Sequence, residues 1–168
     1  MRELLLVPFG DISPEISSII RDELASRIPI LVASSDALPV PDGIRCEDRV
    51  HAEDFLSGVR DACVKSGCYY GIGVFSGGLY VNNADRIFGF NFMTSAVVGL
   101  ESLRVDDQEL FRMRVVKSFL QEAGHLFGLR NCRNKDCVMH FAGSLKSLDS
   151  KGADYCRSCI SSLSWLGK

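Results

Sequence analysis

Four cysteines near the C-terminus, Cys132, Cys137, Cys156 and Cys159, constrain this chain more than any other feature. Four residues separate the first pair, two separate the second, and 18 lie between the pairs. These spacings suit two knuckles closing on one tetrahedral ion. Four thiolates leave no open position for water, so the spacing predicts a structural zinc. Disulfides are the alternative, but a short chain with seven cysteines, four of them clustered, reads better as a metal site in a reducing compartment. Cys46, Cys63 and Cys68 lie apart from the cluster and read as small buried hydrophobes.

The remainder of the composition sets limits. A chain of 168 residues can bury a core as one domain with a small attached lobe. The division expected is residues 1–129 as the main subdomain and 130–168 as a C-terminal lobe fastened by the four cysteines, its last helix (Cys156 to Leu166) carrying Ile160, Leu163 and Trp165. A formal charge of −2 gives no electrostatic reason to expect nucleic acid or an anionic membrane as partner. No apolar run approaches the roughly 20 residues needed to span a bilayer. The opening MRELLLVPFGD holds too short an apolar stretch for a signal peptide. A cytoplasmic protein is expected.

Along the chain, ELLLVP (Glu3 to Pro8) reads as a buried strand, and Ser13-Pro14-Glu15 as a helix start whose apolar face is Ile16, Ile19, Ile20 and Leu24. A second strand is expected over Ile28 to Val32, a loop over Ala37 to Gly43, a second helix from Ala52 to Lys65, and a strand over Cys68 to Phe75. After the turn at Ser76-Gly77-Gly78, Leu79 to Val81, the polar stretch Asn82 to Arg86, Ile87 to Phe92 and Ala96 to Leu100 suggest antiparallel strands. The class expected is α+β, a mixed twisted sheet packed with helices.

A long helix follows, opening at Asp106-Asp107 and reaching about Leu129, with Leu110, Met113, Val116, Leu120, Ala123 and Phe127 as its buried face. Ser118, Gln121, Glu122 and His125 fall on another face, a polar stripe that must meet a cleft, a partner or water. The stripe has the frame H-E-x-x-H-x-x-G-x-x-H, in which two histidines one helical turn apart share a zinc and the glutamate polarises its water. Glu122, His125 and Gly128 are in place, whereas Gln121 stands at the first ligand position and Asn131 at the third. Carboxamides are poor zinc ligands beside imidazole, thiolate or carboxylate.

With Cys132, Cys137, Met139, Cys156 and Cys159 following in register, this stretch resembles the archaemetzincins, small metzincin-like zinc metallopeptidases. The likeness covers about a quarter of the chain; a looser similarity lies around Arg86-Ile87-Phe88-Gly89. It implies a metzincin-like sheet with an active-site helix on the floor of a cleft, Met139 as a hydrophobic base beneath the site, and Glu122 as general base of peptide hydrolysis. His125 would be the residual ligand of the catalytic zinc, and peptide would lie along an edge strand within Ile87 to Ala96. His140, beside Met139, is a candidate substitute ligand that packing argues against; His51 reads as a solvated or capping residue.

Three functions are compatible with these residues. The first is a peptidase relative whose catalytic zinc site is degenerate, weakly active or inactive, that binds peptide. The second is an active metallopeptidase using unexpected ligands. The third is a zinc-stabilised interaction module.

Overall fold

The structure, a computed structural model, describes residues 2–82 and 85–167. Of the expected polar stretch 82–86, residues 83 and 84 lie outside the described residues. Nine strands and five α-helices follow in chain order among the described residues: β1 (Arg2–Phe9), α1 (Pro14–Arg27), β2 (Ile30–Ser34), β3 (Arg45–Cys46), β4 (Arg49–His51), α2 (Glu53–Ser66), β5 (Tyr70–Phe75), β6 (Leu79–Val81), β7 (Asp85–Ile87), β8 (Gly89–Phe92), β9 (Ser95–Gly99), α3 (Gln108–Leu126), α4 (Leu145–Ser150) and α5 (Arg157–Ser162). Among these, no helix is long and apolar enough to cross a membrane.

The main sheet has the order β2-β1-β5-β9-β8. Its first four strands are parallel neighbours, and β8 pairs antiparallel with β9 at the edge. A strand in the middle of such a sheet is covered on both faces, which is why β1 carries a continuous apolar run rather than an alternating one. Leu4 and Leu6 point to one face, toward α1, α3 and the C-terminal segment; Leu5 and Val7 point to the other, toward α2. A smaller sheet, β3-β4-β6-β7, lies beside the α2 layer. The mixed sheet with packed helices is thus the class expected.

Three details differ from the sequence reading. Residues 79–100 are not one antiparallel run: β6–β7 and β8–β9 are antiparallel pairs in different sheets, and β9 runs parallel to β5. All five residues of β9 are buried, so it fills an interior position that a simple hairpin would leave half exposed. On α3, Leu110 and Met113 are only half-buried, and Val115 and Phe119 join the core instead. That helix meets α1, β8, β9 and α4, and a helix enclosed from several sides has no single apolar stripe. The last helix stops at Ser162 and passes into a 3-10 turn over Ser164–Gly167; Leu163 and Leu166 are buried, while Ile160 and Trp165 remain exposed.

The C-terminal segment shares the main core. Val138, Met139, Leu148, Tyr155 and Leu163 cluster with Leu120, Ala123 and the β1 and β9 side chains beneath the sheet. Tyr155 donates its hydroxyl to Leu120 O at 2.5 Å, tying this segment to the middle of α3.

Candidate functional site

The site is built on α3. Asp107 caps it, accepting the Leu110 N–H at 3.0 Å, and the acidic start suits the helix dipole. At its C-terminal end, Leu129 N–H returns to Gly124 O at 2.8 Å, while Gly128 takes φ +91°, a backbone that disfavours a side chain. The chain therefore reverses sharply and brings Asn131 back toward the helix. One turn earlier Gly124 has no side chain because Met139 lies against it; a Cβ there would come within 2.4 Å of the Met139 sulfur.

An open cleft of about 380 Å³ lies between α3, the β7–β8 segment and the loop that contains Phe141 to Gly143. Ser118, Gln121, Glu122, His125 and Asn131 all line it. The whole polar stripe, together with the residue at the third ligand position of the motif, therefore meets in one place. His140 turns elsewhere, its Nδ1 on Cys132 O at 2.8 Å, and His51 lies in β4 with its ring edge-on to Tyr80.

Each floor residue is held by a partner. His125 Nδ1 lies 2.9 Å from Leu129 O; a carbonyl only accepts, so Nδ1 carries a proton and Nε2 is the ring nitrogen left to the cleft. Glu122 is buried, with Oε2 accepting from Asn91 Nδ2 at 2.7 Å. Burial pushes its carboxyl up to about 7, against the opposing pull of the Asn91 hydrogen bond and the Lys151 charge. Lys151, 3% exposed, donates to Gln121 Oε1 at 2.5 Å, Val138 O at 2.6 Å and His140 O at 3.0 Å. Burial, then repulsion from Lys117, lowers its ammonium to about 8. Because Oε1 of Gln121 is taken by the ammonium, its amide NH₂ is the end left to the cleft.

Behind Lys151, Arg114 grips Asp149 with two 2.7 Å bonds, and Lys117 caps the Leu148 and Asp149 carbonyls at the end of α4. Asn91, Lys151, Arg114, Lys117 and Asp149 were not among the residues singled out from the sequence. The i, i+3, i+7 spacing of Arg114, Lys117 and Gln121 is the one signal that points to this second polar stripe.

The four cysteines form the other centre. Their sulfurs all lie within 4.8 Å of one another, with Cys132–Cys156 and Cys137–Cys159 each at 3.8 Å. A tetrahedral zinc with Zn–S bonds of about 2.3 Å sets its sulfurs about 3.8 Å apart, so the donor set and its spacing fit that ion. Cys156 N–H points at Cys137 Sγ from 3.3 Å. Backbone N–H donation from Cys159 pulls the Cys156 thiol down to about 7, whereas burial pushes the Cys137 and Cys159 thiols up. Cys46, Cys63 and Cys68 stand apart as free thiols; Cys63 is buried, and Cys46 and Cys68 are half-buried.

The model of peptidase family M54 matches residues 51–165, more than half of the chain. The chain belongs to this family. Its relatives include the archaemetzincin of Saccharolobus islandicus, 36% identical over 95 residues, which are 53% of this chain and 52% of that protein. The match thus spans about half the length of the curated relative. The crystal structure of archaemetzincin from Methanopyrus kandleri superposes with a TM-score of 0.86 at 29% identity, covering 98% of this chain and 94% of that one. A structure described as a zinc-dependent peptidase, from Methanocorpusculum labreanum, gives 0.82 at 23% identity over 95% of this chain and 99% of that one, a likeness of fold. The matched stretch, residues 51–165, includes the cleft floor on α3, Met139 and all four clustered cysteines.

Proposed function

We propose that this chain is an M54 protein that binds extended peptide in its cleft and holds one structural zinc in the cysteine cluster, with peptidase chemistry weak or lost. The observation that carries the reading is the make-up of the cleft floor. Where the motif calls for three imidazoles, the cleft offers His125 alone beside Gln121 and Asn131. One imidazole and two carboxamides do not fit a tightly held catalytic zinc. The Gln121 oxygen, the better of its two atoms for a cation, is occupied by the Lys151 ammonium. No hydrolytic step is therefore routed through a metal here.

What the cleft retains is suited to binding. β8 is one of the two edge strands of the main sheet among the described residues and runs along the cleft rim, so a peptide can add to it as a further strand. The Gln121 NH₂ can donate to a peptide carbonyl, while Glu122 accepts from an N–H when ionised. The four-thiolate zinc keeps the cleft wall in place, and a reducing, cytoplasmic setting that preserves those thiols belongs to the same reading.

Zinc per chain tests it, measured on protein purified without added metal and again after incubation with excess zinc. One ion both times, with no cleavage of a general peptide substrate, is the expected result. Two ions and measurable hydrolysis would overturn it in favour of an active peptidase using other ligands.

A further inference from the structure

The edge strand separates two cavities. On the α3 side, Gly89 and Asn91 line the cleft. On the opposite side, Phe90 and Phe92 form a second hollow of about 260 Å³ with Glu53, Leu56, Ser57 and Arg60 of α2. The α2 residues recur at i, i+3, i+4 and i+7, one face of that helix turned to the edge. Phe92 is 61% exposed, and Met93 beside it 76%.

The ladder shows which backbone groups of β8 are free. Gly99 N–H donates to Phe88 O, so Phe88 and, by alternation, Phe90 and Phe92 turn their polar groups inward to β9. Gly89 and Asn91 turn theirs outward. A peptide strand pairing with those two residues continues the pleat, and its side chains alternate between the two faces of the sheet. A side chain directed into the cleft is therefore followed by one directed at Phe90, Phe92 and Leu56.

We propose that the Phe90–Phe92 hollow is a specificity subsite for a large apolar side chain, aromatic or long aliphatic, of a peptide bound to β8. The inference rests on the strand-addition reading above and adds the residue class selected. The walls are two phenyl rings and a leucine, and the hollow has room for one such side chain. Glu53 and Arg60 place opposite charges on α2 at its border, so it offers no net charge to a charged side chain.

The test uses the zinc-loaded full chain, immobilised and exposed to a degenerate library of N-acetylated, C-amidated heptapeptides, with the retained peptides sequenced individually by mass spectrometry. The same selection is run on Phe92→Thr, which removes one wall at an exposed position and keeps a strand-favouring residue. The expected result is enrichment of Phe, Leu, Met or Tyr at one aligned position, about tenfold for substantial burial of such a side chain. In Phe92→Thr that enrichment collapses, with neighbouring positions unchanged. Retention without a preferred position, or the same preference in Phe92→Thr, would refute the subsite and leave peptide binding standing. No retention of any peptide would refute both.

Discussion

Glu122→Gln is expected to stabilise the protein, and to do so only above mildly acidic pH. The carboxyl is buried, and its pKa rises from 4.5 to about 7 on folding. An acid whose folded pKa is raised holds its proton longer in the native state. It thus costs nothing below the unfolded value, costs progressively more from pH 4.5 to 7, and a constant amount above. At 1.36 kcal/mol per pKa unit the difference reaches about 1 kcal/mol at pH 5 and about 3 kcal/mol at pH 8. The favourable Lys151 charge is already contained in that raised value, so its loss in the variant takes nothing further from the gain. The isosteric glutamine can still accept from Asn91 Nδ2. Urea unfolding of zinc-loaded wild type and variant at pH 5 and pH 8 reads the difference directly. A gain that is absent, or equal at the two pH values, would refute the reasoning. A divalent ion bound beside Glu122 would hold the carboxylate ionised and give that result, so the experiment also bears on the empty-handed ligand set of the cleft.

Other outcomes follow from the same structure. Cys137→Ser, at a buried position of the cysteine cluster, is expected to reduce zinc content to near zero by elemental analysis and to lower the melting temperature sharply, since the binding energy of a structural zinc is folding energy. Asp149→Asn leaves the buried Arg114 guanidinium without its carboxylate partner; a loss of about 3 kcal/mol is expected in urea unfolding. Gly128→Ala meets no neighbouring atom but is forced to φ +91°, so about 1–2 kcal/mol is lost through backbone strain, seen as a lower urea midpoint with an unchanged slope. Gln121→His together with Asn131→His should take up a second zinc by the same elemental analysis, whereas either change alone should gain little.

The parts of this molecule written as local pattern were readable from the sequence. The cysteine spacing, the capped start of α1 at Ser13-Pro14, and the polar stripe of α3 each depend on neighbours within a few turns, and the fold brings the residues of each together. What escaped depends on contacts far apart in sequence. Lys151 is an ordinary lysine in an SLDSKG stretch until folding places it against Gln121, thirty residues earlier. Asn91 likewise becomes a site residue only because β8 crosses above Glu122. α4 is six residues long with a Ser144–Ser147 capping box, a serine version of a signal usually sought as glutamate. The two-residue strand β3 and three-residue strand β4 are too short to show an alternation at all.

The chain between Cys137 and Cys156 carries Phe141 to Gly143, α4 and Lys151, so one fastened loop supplies the far wall of the cleft and the cation behind Gln121. Its anchorage is the sulfur cluster, the core contact of Met139 with Gly124, the Arg114–Asp149 pair and the Tyr155 bond to Leu120 O; the Lys151 bond to Gln121 is one tie among these. Most of that anchorage therefore runs through residues other than Gln121 and Asn131. Chemistry at the floor can change by substitution while the groove around it keeps its shape, which is the condition under which a hydrolase can drift into a receptor without first losing its fold.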